Sequence, residues 1–278
     1  MDSDNLRQFI SFQSVDNNPD GNKQAIAFIL NALSDMGFSC RIEGENITDQ
    51  PCIIGHFPGR GSSRKIVLYG HYDVAPIDSS EEWKSLDPFS IEEIEGRYFA
   101  RGIADNKGPL LARLEAISDL MKTEQAVPEI LWLIQGEEEI LVDERVAEKI
   151  FRHEITQFGG NVFVDETGFN DIDSHQQILF LWSPSHTEDS LVLWHPLFNG
   201  IMDESRREFR HLNKLTGVKG CPLLGGLPEG AIYIGFGPND KLHQIHRKNE
   251  SLDVEKLNFH KQQFKEFIGR YAEYSCNE

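Results

Sequence analysis

Between Tyr69 and Pro109 the chain reads YGHYDVAP, then DPF, then FARGIADNKGP, which places a histidine and an acid two residues apart and a second acid about 34 residues further on. Imidazole nitrogen and carboxylate oxygen are ligands that zinc takes at about 2.0–2.2 Å, and a catalytic zinc keeps one position open for water or substrate. His71 and Asp105 are therefore candidate metal ligands. Asp73 lies too close to His71 along the chain to be an obvious independent ligand, but it can accept the other imidazole N–H and fix the tautomer. By itself an HxD pair is more often a surface turn or a strand end than a metal site.

The elements that must position these groups change that balance. Residues 66–69, IVLY, form a short apolar run leading into His71. Residues 129–136, EILWLIQG, form another and deliver Glu137, Glu138 and Glu139, and residues 161–164, NVFV, end in Asp165 and Glu166. Runs of this length read as buried strands. Three of them carry His or acid at their carboxyl ends, where open α/β sheets place their ligands.

Several ordered motifs then agree. GHYDVAP at 70–76, DPFS at 87–90, ARGIADNKGP at 100–109 and GEEE at 136–139 closely resemble motifs of the di-zinc amidohydrolases and exopeptidases that include aminoacylase, carnosine dipeptidase and succinyl-diaminopimelate desuccinylase. DETG at 165–168 and HRKNE at 246–250 resemble it more loosely, the latter matching a late His-x-x-Asn-Glu. The resemblance is strong over about residues 60–140.

This resemblance implies two zinc ions, with cobalt or manganese as possible substitutes. His71 would bind one ion, Asp105 would bridge both, and Asp73 would hold and polarise His71. Glu138 would be the general base and Glu139 a ligand of the ion opposite His71, with Glu137 a bystander. Glu166, ahead of its neighbour Asp165, would pair with His71. His246 would complete the second ion's set, with His243 as the alternative. A cis peptide is implied between Asp105 and Asn106. The implied reaction is hydrolysis of an amide bond in a small peptide or N-acyl amino acid, since paired zinc ions lower the pKa of water and polarise a carbonyl. The other classes open to such a chain are a biosynthetic amidohydrolase or acyl-transfer enzyme for a bulky or carrier-bound substrate, and a non-catalytic binding protein.

The chain has 278 residues, 39% of them hydrophobic, enough to bury one good core. A formal charge of −18 argues against nucleic acid as a partner. Cys40, Cys52, Cys221 and Cys276 are scattered without CxxC spacing, so neither a disulfide framework nor a thiolate zinc site is expected. The start, MDSDNLRQF, has neither a basic nor an apolar leader region, and no apolar run reaches membrane length. The expectation is a cytoplasmic protein with no membrane partner.

Periodicity predicts helices over 4–13 and 21–36, the second closed by Gly37, and strands over 38–43, 52–57 and 65–70. A helix beginning near Lys107 or Gly108, a helix over 144–152, a strand over 177–182, a helix over 202–213, a strand over 230–236 and a helix over 253–273 follow. The alternation predicts an α/β fold, a three-layer α/β/α sandwich with a mixed, mostly parallel sheet of the zinc-exopeptidase kind.

One departure from the resemblance bears on mechanism. Its members commonly insert a lid or dimerisation domain between the late acidic ligand and the final histidine, yet only about 80 residues separate Glu166 from His246 here. Residues 1–278 are therefore expected to be a single catalytic domain, with a short segment near 170–200 replacing the lid and a monomer as the default. His186 and His195 are possible local substitutes for the lid's oxyanion-binding histidine. The glycine-rich stretch at 225–230 resembles a loop that holds a substrate carboxylate. The usual GEEEIGS continuation is replaced by ILV at 140–142.

Overall fold

The computed structural model describes residues 1–78, 82–140, 145–173, 176–185, 188–199, 201, 207–212, 221 and 227–274. In chain order the elements are α1 (Ser3–Ser11), α2 (Pro19–Asp35), β1 (Ser39–Glu43), β2 (Cys52–Phe57), β3 (Lys65–His71), β4 (Glu92–Ile94), β5 (Arg97–Phe99), α3 (Lys107–Met121) and β6 (Glu129–Gln135). There follow α4 (Val146–Phe158), β7 (Val162–Asp165), β8 (Gly168–Asn170), β9 (Gln177–Trp182), α5 (Glu188–Leu191), a 3₁₀ turn (Val192–Phe198), β10 (Arg207–His211), β11 (Ile232–Gly235), β12 (Asn239–Asp240), β13 (Ser251–Asp253) and α6 (Val254–Glu273).

Local sequence explains the helix ends. Asn18 accepts a hydrogen bond from the Gly21 N–H and Pro19 opens α2, while Gly37 at φ 84° follows its last turn. Asp2 caps α1 and Asp253 caps α6 in the same way.

The main sheet runs β1-β2-β6-β3-β7-β11-β9-β8-β12, with β10 beside β9. Its central strands β6, β3, β7 and β11 are parallel, and antiparallel pairs flank them. Period-two alternation sends Ile66 and Leu68 of β3 to one face, against α2, α3 and α6. Val67 and Tyr69 go to the other, against Phe151 and Ile155 of α4. Each of these buried apolar side chains contributes about 1.5–3 kcal/mol. The result is the expected layered α/β arrangement around a mixed sheet.

The one element of the wrong type is the expected helix over 202–213. Its described part is β10, an edge strand parallel to β9 in the register Arg207↔Gln177 to His211↔Leu181. Pairing along β9 supplies the backbone hydrogen bonds of this segment, and Phe209 packs on the core beside Phe198. Helix α4 also runs past the expected 152 to Phe158, where Gly159 caps it in the left-handed conformation.

Arg113 of α3 is buried and donates to the carbonyls of Tyr69, Asp165 and Phe236 at 3.1, 2.6 and 2.6 Å. One guanidinium thus joins the carboxyl ends of β3, β7 and β11. In α6, His260 is buried between Phe236 and Phe264, and neither ring nitrogen has a hydrogen-bond partner. Burial holds its pKa well below the ordinary value of 6.5, helped by Arg113. Below that value the unfolded chain binds a proton that the folded one does not, so His260 costs stability as pH falls, on the order of 1 kcal/mol at one unit below. His260→Leu should shrink the stability difference between pH 7.5 and 5.5 by about that amount in denaturant titrations. An unchanged pH dependence would show that His260 is protonated or partnered in the folded state.

Candidate metal centre at the strand ends

β3, β6 and β7 are parallel neighbours, so the residues that follow them converge at one end of the sheet. His71 closes β3, Glu138 and Glu139 follow β6 after Gly136, and Glu166 follows β7. Gly136 is required there by close approach: a Cβ at this position would lie 2.3 Å from the Tyr72 hydroxyl and 2.6 Å from the Gln50 carbonyl. The chain reverses at Gly102, φ 82°, to bring in Asp105 just before α3, and the Asp105–Asn106 peptide is cis, as the resemblance implied.

Asp105 stands between two histidines. Its Oδ1 lies 3.0 Å from His71 Nε2 and its Oδ2 lies 3.2 Å from His246 Nε2. His246 also meets Glu139 Oε2 at 2.7 Å, and His71 Nε2 is 3.9 Å from Glu166 Oε1. Asp105, Glu139 and His246 therefore form one group of potential ligand atoms, all within 4.8 Å of one another. A second group of that kind joins His71, Glu138 and Glu139. His71 is buried at 1% exposure, whereas His246, on a left-handed residue at φ 59°, keeps 57% of its side chain exposed.

The outer contacts separate the alternatives left by the sequence. Asp165 is buried with its carboxylate engaged by the Tyr233 hydroxyl at 2.6 Å and the Thr167 N–H at 2.7 Å, so it belongs to the framework. Glu166 reaches the cluster instead. His243 lines the cleft, but it is His246 that touches Asp105 and Glu139.

Asp73 lies against His71 and also reaches Glu139. The His71 Nδ1 hydrogen bond runs to the Asp73 backbone carbonyl at 3.1 Å, with the carboxylate Oδ1 slightly farther at 3.3 Å. The other carboxylate oxygen accepts the Glu139 backbone N–H at 2.8 Å. Asp73 therefore meets His71 Nδ1 with both its main-chain carbonyl and one carboxylate oxygen, and uses the other carboxylate oxygen to hold Glu139.

These residues fit a cation. Glu139 Oε1 and Glu166 Oε2 are buried oxygens without a hydrogen-bond donor, an expensive state unless a positive charge faces them. Burial raises the Glu166 carboxyl to about 8, with Asp165 adding to the rise. It raises Glu139 to about 7 against the opposing contact with His246. Glu138 is also raised, by burial first, while His71 pulls it down and Asp105 and Asp73 push it up. His246 is raised to about 10 by its hydrogen bonds to Asp105 and Glu139. Carboxylates and imidazoles that share protons this tightly form a hard-to-borderline N/O donor set of the kind that suits zinc.

A residue not singled out from the sequence completes the centre. Glu250, fully buried, accepts from Arg101 Nη1 at 2.8 Å and from the backbone N–H groups of Gly102, Ala104 and Asp105 at 3.0, 2.8 and 3.0 Å. Its sequence signal was its place as the final residue of the HRKNE motif at 246–250, to which no role was assigned. His195 lies away from this cluster, paired with His211 at 3.0 Å and stacked on Phe209. His186 falls outside the described residues, as do 141–144 and most of the glycine-rich stretch, whose described end at Gly230 forms a turn bonded to Ser185.

The layered α/β fold thus carries a histidine–carboxylate cluster at the ends of its parallel strands, an arrangement able to hold metal ions. In comparison with known proteins, residues 67–175 match the model of Peptidase family M20/M25/M40. Human Beta-Ala-His dipeptidase is 35% identical over 109 residues, which is 39% of this chain and 21% of the dipeptidase. Succinyl-diaminopimelate desuccinylase of Rickettsia bellii is 30% identical over 139 residues, 48% of this chain and 34% of that enzyme. The matched segments thus span about a fifth to a third of these relatives' length. In fold, the crystal structure of human carnosine dipeptidase 1 superposes with a TM-score of 0.69 at 13% identity, covering 97% of this chain and 96% of that one. Metallopeptidases of this family use metal ions, typically zinc, and the residues gathered here could hold them.

Proposed function

We propose that this chain is a metal-dependent hydrolase of amide bonds in small peptides or N-acyl amino acids. The observation that carries the reading is the division of the Asp105 carboxylate between His71 and His246, one oxygen to each. In this reading Asp105 would be shared by two ions, one of which His71 and Glu166 would also hold and the other Glu139 and His246. Zinc is the expected metal, with cobalt or manganese as substitutes; when bound it would supply a Lewis acid that lowers the pKa of water and polarises a carbonyl.

Glu138 is the proposed general base. It stands within 4.8 Å of the ligand atoms of His71 and Glu139 and lines the cleft, and its raised pKa suits a group that takes a proton and passes it to a leaving amine. Glu166 is preferred over Glu138 as the His71-side ligand because it offers a buried, donorless oxygen and leaves Glu138 for proton transfer. The cleft beside the cluster holds about 470 Å³, bounded by Phe169, Asn239, His243 and Ile245, a size suited to a small molecule. The names of the dipeptidase and desuccinylase relatives fit that substrate range.

We further propose a lid-less single catalytic domain over residues 1–278, with the segment near 170–200 in place of the lid, acting as a monomer. A reducing, cytoplasmic setting accords with Cys40, Cys52 and Cys221, which form no disulfide among the described residues. No helix of the described residues is long and apolar enough to cross a membrane. The test is a screen of dipeptides and N-acyl amino acids before and after dialysis against a chelator. Turnover should vanish on chelation and return with about two equivalents of zinc, cobalt or manganese per chain. Hydrolysis that survives chelation, or none by zinc-replete protein, refutes the reading.

A further inference from the structure

We infer that Glu250 is a positioning residue that sets the place of Asp105, and through it the spacing of both metal sites. The inference rests on the reading of the strand-end cluster as a metal centre.

Glu250 uses both carboxylate oxygens on one loop. Oε1 takes the N–H groups of Ala104 and Asp105, and Oε2 takes the N–H of Gly102 and the Arg101 guanidinium. Its own backbone carbonyl accepts the Ala100 N–H at 3.1 Å. Five hydrogen bonds from residues 100–105 thus end on a single residue. A small sheet fixes Glu250 in turn: β13 begins at the next residue and pairs with β5 in the register Ser251↔Phe99 to Asp253↔Arg97, and β4 completes it. Arg97 adds a two-pronged contact to Asp240 at 2.8 and 3.1 Å.

A carboxylate here is costly to bury, and apolar packing could have closed the same gap. What a carboxylate supplies is a cradle of fixed N–H directions, because charge-assisted bonds of this kind are short and roughly twice as strong as neutral ones. The loop they fix carries Asp105, which among the described residues pairs one carboxylate oxygen with His71 and the other with His246. His246 lies four residues before Glu250 on the same segment. The two chain segments that meet across Asp105 and His246 are therefore joined a second time at Glu250, behind the site.

A purely structural role for Glu250 would be to neutralise buried Arg101, whose guanidinium also lies over Trp83. The two roles separate experimentally. Cobalt(II) binding to wild type, Glu250→Gln and the double variant Arg101→Met with Glu250→Gln is followed by titration calorimetry and by the visible spectrum, well below each protein's melting temperature. Wild type should take up two equivalents. Glu250→Gln should bind both about 10–100-fold more weakly, the range that outer-shell partners command, and its cobalt spectrum should shift. The double variant should stay as weak, because removing the charge of Arg101 does not restore the cradle. If Glu250→Gln fails to fold, Glu250→Asp serves: it keeps the charge but withdraws the oxygens, and should weaken both equivalents. Wild-type affinity in either single variant, or recovery in the double variant, overturns the inference. Absence of cobalt binding by wild type overturns it together with the metal reading.

Discussion

Glu138→Gln should lower kcat by about 10²–10⁴-fold while leaving zinc content unchanged, because it removes proton transfer without removing a metal ligand. The prediction depends on geometry that divides labour among neighbouring acids. Glu139 is tied to His246 at 2.7 Å and has its backbone held by Asp73, so it is committed to the cluster. Glu138 faces the cleft, where burial raises its pKa and His71 counters the rise. A glutamine of the same shape keeps the packing and loses the proton acceptor. Measuring kcat on the best substrate from the screen, with metal content determined on the same sample, decides the matter. If activity persists at more than about a tenth of wild type, the base is another group; if zinc is lost as well, Glu138 is a ligand, as its place in the His71 group would allow.

Asp105→Ala should have the largest effect on metal content. Both equivalents should weaken together, by more than the roughly 10–100-fold typical of outer-shell losses, since each of its oxygens serves a different histidine. His246→Ala provides the contrast. It removes a group from one side only, and the half-exposed position of His246 means the loss leaves little packing defect. That variant should keep one equivalent near wild-type affinity. Equilibrium dialysis against zinc, read by elemental analysis, measures both. Retention of two tightly held ions by Asp105→Ala would sink the bridging assignment, and equal losses in the two variants would show a single shared ion.

Much of this centre was legible from the sequence because of the way parallel strands work. An apolar run of strand length ending in His or acid fixes both the element and the end at which its side chain emerges, so β3, β6 and β7 and the groups after them could be read directly. The choice of Glu166 over Asp165 needed the resemblance, since two adjacent acids after one strand differ only in which face they address. Glu250 was visible in the sequence only as the last residue of the HRKNE motif, with no role attached to it. Its partners are main-chain N–H groups almost 150 residues away, and backbone donors leave no trace in residue types. The strand at Arg207–His211 was misread for a related reason: a charged run carries helix propensity locally, while the edge of β9 that recruits it is a property of the assembled sheet.

Arg113 gives the acidic strand ends a counter-charge from underneath. It lies below Glu166 and Asp165, opposes the rise in pKa that burial imposes on both, and ties the Asp165 main chain to its neighbours. The acids above the sheet therefore never face one another across an uncharged floor. Part of the charge balance that a metal would complete from the solvent side is already made by a side chain anchored in α3. The sheet can close around a permanent cation of its own, with the cleft left to exchange the mobile ones.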